Sequence, residues 1–178
     1  MLEAFITSKT RIKLMLKFFL NSNNTGHLRG LATELGESTN SIRLELNRFE
    51  EAGLIVAHSE GQRKVFQVNT LHPIFNDVQS LMRKYVGMDQ IIEKVINHLG
   101  NPDKVFLKGD LAKGVDSPNI SMVIVADKIN EEYLQNLITK AQKIVSRTIE
   151  YTLISPNDFN TNFPHQDKLL LVWENNDK

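Results

Sequence analysis

Thr39, Asn40, Ser41, Arg43, Leu44 and Asn47 fall between Ser38 and Arg48. Most are small polar groups, and they surround one guanidinium. Side chains of this kind can reach base edges if the backbone carrying them lies in a major groove. A second cluster, Gln62-Arg63-Lys64, places two cations in a short step suited to phosphate oxygens. Other chemistries find little support. There is no cysteine, so disulfides and thiolate metal sites are excluded. His27, His58, His72, His98 and His165 are scattered, with no pair at i, i+4. No Gly-x-Ser-x-Gly or phosphate-loop pattern occurs.

The first cluster needs a helix to present it. Ile42, Leu46 and Phe49 recur at i, i+4, i+7, which predicts a helix with one apolar face. Ser38 is a suitable N-cap and Gly53 a suitable stop. Upstream, the apolar density from Ser8 to Leu20 predicts a well-buried helix, ended by the turn-forming run 21–26. A short amphipathic segment with Leu28, Leu31, Ala32 and Leu35 inward closes at Gly36. Two helices across a short Gly-containing turn make a helix-turn-helix. After Gly53, LIVAH and RKVFQVN predict a hairpin turning at Gly61, in the position of a wing. Residues 71–87 return to helical spacing, with Ile74, Val78, Leu81, Met82 and Tyr85 on one stripe. Gly87 is the expected boundary between a first domain, 1–87, and a second, 88–178.

The second half alternates helical patterns with the apolar runs KVFLKG, NISMVIVAD, IEYTLIS and KLLLVWE, expected to be strands with Trp173 in the core. An α+β protein of two domains follows, with the polar tail 175–178 expected to fray. Net charge is zero, but residues 1–87 hold 11 Lys and Arg against 8 Asp and Glu, and residues 88–178 hold 10 against 13. The surplus of three cations in the first half is the direction expected if only that half meets phosphate. No apolar run approaches the ~20 residues of a membrane span. The N-terminus lacks the order of a secretory signal, so a cytoplasmic location without membrane contact is expected.

The stretch STNSIRLELNRFEEAGLIVAHSEGQRKVF, with EEAGLI, a polar turn at Gly61, then Arg63-Lys64-Val-Phe66, resembles the winged-helix regulators of the ArsR and MarR type over residues 8–69. The resemblance implies a bacterial-type transcriptional regulator of double-stranded operator DNA. Its helix 39–52 would read the major groove and its wing would lie along phosphate. Glu45, Glu50 and Glu51 depart from the pattern by placing carboxylates where such proteins often carry basic groups. A homodimer is expected to compensate, with the stripe 74–85 as one candidate seam.

The stretch KVFLKGDLAKGVDSPNISMVIVAD resembles the opening of a minimal nucleotidyltransferase domain. Gly109, Ala112 and Gly114 match. Asp110 stands in the place of the phosphate-cradling serine, and Asn119 and Ser121 stand in the places of two metal-binding aspartates. A third carboxylate falls at Glu150, followed by the run 155–159. The resemblance therefore implies a scaffold without its metal chemistry, with no cofactor and no catalytic residue. Such a domain would serve dimerisation or sense a small-molecule or nucleotide effector. The alternative is a nucleotidyltransferase or antitoxin-like enzyme using Asp110, Asp116 and Glu150; a further one is an adaptor with neither activity.

Overall fold

The computed structural model describes residues 2–100 and 102–175; the expectation of fraying at 176–178 lies outside them. The chain divides into two compact units, Met1–Tyr85 with Lys113–Asp116, and Val86–Ala112 with Ser117–Lys178. No described helix is long and apolar enough to cross a membrane.

In the first unit α1 (Lys9–Met15) starts at Ser8, whose hydroxyl accepts the Arg11 N–H. It continues through a π-helical turn, Leu16–Leu20, in which every residue is buried. A strand of three residues, β1 (Thr25–His27), follows where the sequence shows only turn-formers. Then come α2 (Leu28–Leu35), the turn at Gly36, and α3 (Thr39–Glu51). Ser38 caps α3 by accepting the Ser41 N–H at 3.0 Å. Ile42, Leu46 and Phe49 are buried, as their spacing predicts. β2 (Ile55–Glu60) and β3 (Arg63–Val68) pair antiparallel from Ile55↔Val68 to Glu60↔Arg63, which leaves Gly61-Gln62 as a two-residue turn. β1 adds to the other edge of β3, giving the order β1-β3-β2.

The following helix, α4 (Phe75–Val86), splits its predicted stripe. Met82 is fully buried and Phe75, outside the stripe, stacks on Phe19 at 6.0 Å. Ile74 is 45% exposed, and Val78, Leu81 and Tyr85 are half-buried. Met82 is thus buried within the chain and is not on its surface.

The second unit begins with α5 (Met88–Lys94). Its sheet contains β4 (Lys104–Lys108), β5 (Asn119–Val125), β6 (Thr148–Ile154) and β7 (Leu170–Glu174), in the order β6-β5-β4-β7. β5 and β6 run parallel and are joined through α6 (Glu131–Val145); the other pairs are antiparallel. A parallel pair requires such a crossover, because two residues cannot return the chain to the same end. Alternation puts Ile120, Met122 and Ile124 on one face of β5 and Asn119, Ser121, Val123 and Val125 on the other. Phe159 of α7 (Pro156–Asn162) stacks on Phe106 at 5.0 Å and packs with Val123 and Val125. Trp173, expected in the core, is only half-buried on the edge strand β7.

Lys113–Asp116 meets the π-helical turn that continues α1 closely. The Lys113 carbonyl accepts from Lys17 Nζ at 3.1 Å and from Asn24 Nδ2 at 2.9 Å. At Gly114 φ is +72°, and a Cβ would lie 2.6 Å from the Lys17 Cα. Gly61 has a similar φ, +60°, but open space around it. Gly61→Ala should therefore cost about 1–2 kcal/mol, the left-handed penalty alone. Gly114→Ala should cost that and a further ~1–3 kcal/mol of overpacking. Denaturation followed by far-UV circular dichroism measures both; equal losses would show that the contact at Gly114 relaxes freely.

Candidate nucleic-acid interface

α3 reaches its position through acids of the helix-turn-helix that meet the basic side of α1. Glu34 accepts from Lys17 at 2.8 Å, and Glu37 from Lys13 at 2.6 Å and from Thr10 at 3.0 Å. Glu45, on α3 itself, is 4% exposed. Its carboxylate accepts from Ser8 at 2.9 Å, from Arg11 Nε at 2.8 Å and from Arg48 at 3.1 Å. The expectation that Glu45 would face a nucleic acid is corrected here. At 100° per residue it falls on the flank beside the buried stripe, next to the N-terminus of α1. Burial alone would push the Glu45 carboxyl up. The hydrogen bonds from Arg11 and Ser8, with the fields of Arg11 and Arg48, outweigh it and hold the group below the ordinary carboxylate range.

The remaining face of α3 is open. Thr39, Asn40, Arg43, Leu44 and Asn47 are exposed and Ser41 is half-buried. Arg43 and Asn47 line a groove of about 700 Å³ that runs to Gln62, Arg63 and Lys64 of the wing. The structure thus brings the two sequence clusters to one concavity, whereas Thr39, Asn40, Ser41 and Leu44 lie on the helix outside its lining. His27, one of the scattered histidines, and Arg29, which no sequence motif singles out, line the same groove from the start of α2. Arg29 carries a usable signal, since a cation in the first turn of a helix opposes the macrodipole and needs another reason to be there.

The groove's cations differ in their partners. Lys64 Nζ lies 2.7 Å from a Glu50 carboxylate oxygen and 5.1 Å from the Phe66 ring centroid. Among the described residues nothing bonds the guanidinium of Arg29, Arg43 or Arg63. Arg11 and Arg48 are held by Glu45, and Arg147 by the Ser117 carbonyl. Three uncompensated guanidinium groups on one concave surface make a local positive field able to take a polyanion strand.

In the second unit Gly109 and Asp110 follow β4 and are exposed, and Asn119 opens β5, also exposed. Ser121 and Glu150 are cross-strand partners, and the Ser121 hydroxyl donates to Glu150 at 3.3 Å. Lys108, not foreseen from sequence, is the cross-strand neighbour of Ser121 on its other side and donates to Thr152 at 3.0 Å. The structure therefore brings Ser121 and Glu150 together, with an ammonium beside them. No group of three or more His, Cys, Asp or Glu among the described residues could hold a metal ion.

A helix-turn-helix followed by a two-stranded wing, with a short third strand from between α1 and α2, defines the first unit as a winged helix-turn-helix. No family model matches the chain, and no curated protein does. Solved structures that resemble it include reduced HlyU from Vibrio cholerae N16961, at 13% identity over 52% of this chain and 82% of that one, with a TM-score of 0.36. AF1382 from Archaeoglobus fulgidus matches at 15% identity over 51% of this chain and 96% of its own, with a TM-score of 0.37. TrmBL2, an archaeal chromatin protein, matches at 11% identity over 80% of this chain and 64% of its own, with a TM-score of 0.25.

The Glu45 cluster gives a pH prediction. A carboxyl whose folded pKa is depressed adds stability above its unfolded value, near the ordinary glutamate range. That stability is lost as pH falls through the folded value. Glu45→Gln should cost about 1–3 kcal/mol at neutral pH. It should also flatten the fall in stability on acidification below about pH 5, in part only, because Glu37 is depressed as well, chiefly by its hydrogen bond from Lys13. Unfolding free energies measured against pH check this; an unchanged acid limb would remove Glu45 from the account.

Proposed function

We propose that the protein is a transcriptional regulator whose first unit binds double-stranded operator DNA. In this reading α3 lies in the major groove, and a phosphodiester strand runs in the concavity between α3 and the wing. The observation that carries it is the set of unpartnered guanidinium groups of Arg29, Arg43 and Arg63 on that concavity. Arg43, Asn40 and Asn47 contact base edges, with Thr39, Ser41 and Leu44 on the same helix surface. Arg29, Arg63 and Gln62 contact the backbone. Lys64 joins them at the expense of its pair with Glu50.

One helix presents too few side chains for selective reading, so the protein acts as a two-fold dimer on half-sites about 10 bp apart. The half-exposed Ile74 and Val78 border a groove with Met15, Phe19, Phe49 and Leu54, which offers an apolar seam. The second unit senses a small molecule or nucleotide, or supports the dimer, and transfers no nucleotidyl group. Two observations support the last point. The strand position beside Glu150 is the neutral Ser121, and Lys108, bonded to Thr152, adds a cation rather than a carboxylate to the same strands.

Fluorescence anisotropy with duplex DNA from upstream of the gene tests the first part. Replacing Arg29 and Arg63 together by Ala should weaken binding to all sequences and reduce the salt slope by about one per lost phosphate contact. Arg43→Ala should cost about 1–3 kcal/mol on the preferred site and less on random DNA. A salt slope unmoved by the double substitution would take the concavity out of the interface. Incubation with labelled nucleoside triphosphates and Mg²⁺ should label nothing; metal-dependent transfer to any acceptor would establish the enzyme reading instead.

A further inference from the structure

Leu44 is 52% exposed, although folding asks for nothing apolar at its position. The buried residues of α3 are Ile42, Glu45, Leu46 and Phe49. At 3.6 residues per turn, the strip directly opposite them holds Asn40, Leu44 and Asn47, and Glu51 in the last turn of the helix. A polar residue would serve that strip equally well as regards helix formation, since Lys, Gln and Glu match leucine in propensity. The two neighbours one turn away on the strip are both asparagines. A single apolar side chain flanked by two carboxamides therefore marks the outermost part of the helix.

On the reading that α3 lies in a major groove, this pattern has a chemical complement. A base pair offers an apolar group in that groove at one place, the C5 methyl of thymine, and its adenine partner offers N6 and N7, which a carboxamide pairs bidentately. We infer that Leu44 is a specificity-determining residue that reads a thymine methyl group, with Asn40 and Asn47 set to read adenine beside it. The preferred half-site then carries A·T pairs under the middle of α3, and Arg43, turned toward the wing, reads outside them. The inference rests on the proposed DNA binding and assigns the base class that the helix selects.

The test uses the full chain and a preferred duplex selected from a random pool. Replacing one thymine at a time by deoxyuridine removes the methyl group and leaves every hydrogen bond in place. At one or two positions the substitution should weaken binding about 3–5-fold, the value of one buried methyl group. Leu44→Ala and Leu44→Gln should both bind the thymine and uracil duplexes equally; two variants at an exposed position guard against one that folds poorly. Selective binding with no sensitivity to any thymine methyl would overturn the inference and leave the DNA-binding reading intact. Sensitivity that persists in both variants would assign the methyl contact to another side chain. A pool that yields no enriched sequence, with no binding to any duplex, would overturn both.

Discussion

A buried carboxylate fixes the attitude of the long helix. Glu45 sits on α3 with almost no solvent, and its charge is supportable only because Ser8, Arg11 and Arg48 all donate to it. Ser8 has a double part, accepting the Arg11 N–H in the first turn of α1 while donating to Glu45. The end of one helix and the flank of another are thereby joined at a few atoms. Rotating α3 by one residue would turn either Arg43 and Asn47 or Ser41 and Arg48 into the apolar stripe and take the Glu45 carboxylate from its donors. Hydrophobic contact from Ile42, Leu46 and Phe49 holds α3 against the core without choosing its rotation so sharply, because apolar packing is not directional. The charge cluster adds that direction.

The same cluster explains how a chain with no net charge can present a positive surface. α1 and the π-helical turn that continues it present Arg11, Lys13 and Lys17 to Glu45, Glu37 and Glu34, which pair with them. Lys64 is occupied by Glu50. What stays unneutralised around the groove is Arg29, Arg43 and Arg63, drawn from three separate elements. Guanidinium is suited to this task, being weakly hydrated and able to give two parallel hydrogen bonds to a phosphate or a guanine. The Glu50 pair also links the far end of α3 to β3.

Much of the first unit was legible in the sequence, for identifiable reasons. The helical period of Ile42, Leu46 and Phe49 is strong and is bounded by a cap and a glycine, so the exposed face followed from geometry. The hairpin was readable from Gly61 between two β-rich runs. β1 was not, since three residues are too few to show a period and their pairing with β3 is long-range. Glu45 was misplaced because its direction depends on which helix lies alongside, which spacing within α3 does not contain. Arg29 is hard to read because the pattern of α2 defines its apolar side, and the groove that Arg29 meets is built by α3 and the wing. In the second unit the apolar runs showed the strands, whereas Lys108 looked like a strand end and its position beside Ser121 is a matter of register. The stripe on α4 had a correct period, but its division between core and surface depends on where Phe19 lies.

The central claim is that the concavity of the first unit is the nucleic-acid surface, and residue-resolved amide chemical shifts of the full chain during titration with duplex DNA address it directly. The account predicts salt-sensitive shifts in residues 28–30, 39–48 and 61–64, with the strands of the second unit unmoved at the first increments. Shifts confined to residues around Lys108, Ser121 and Glu150, with α3 and the wing unchanged, would contradict it.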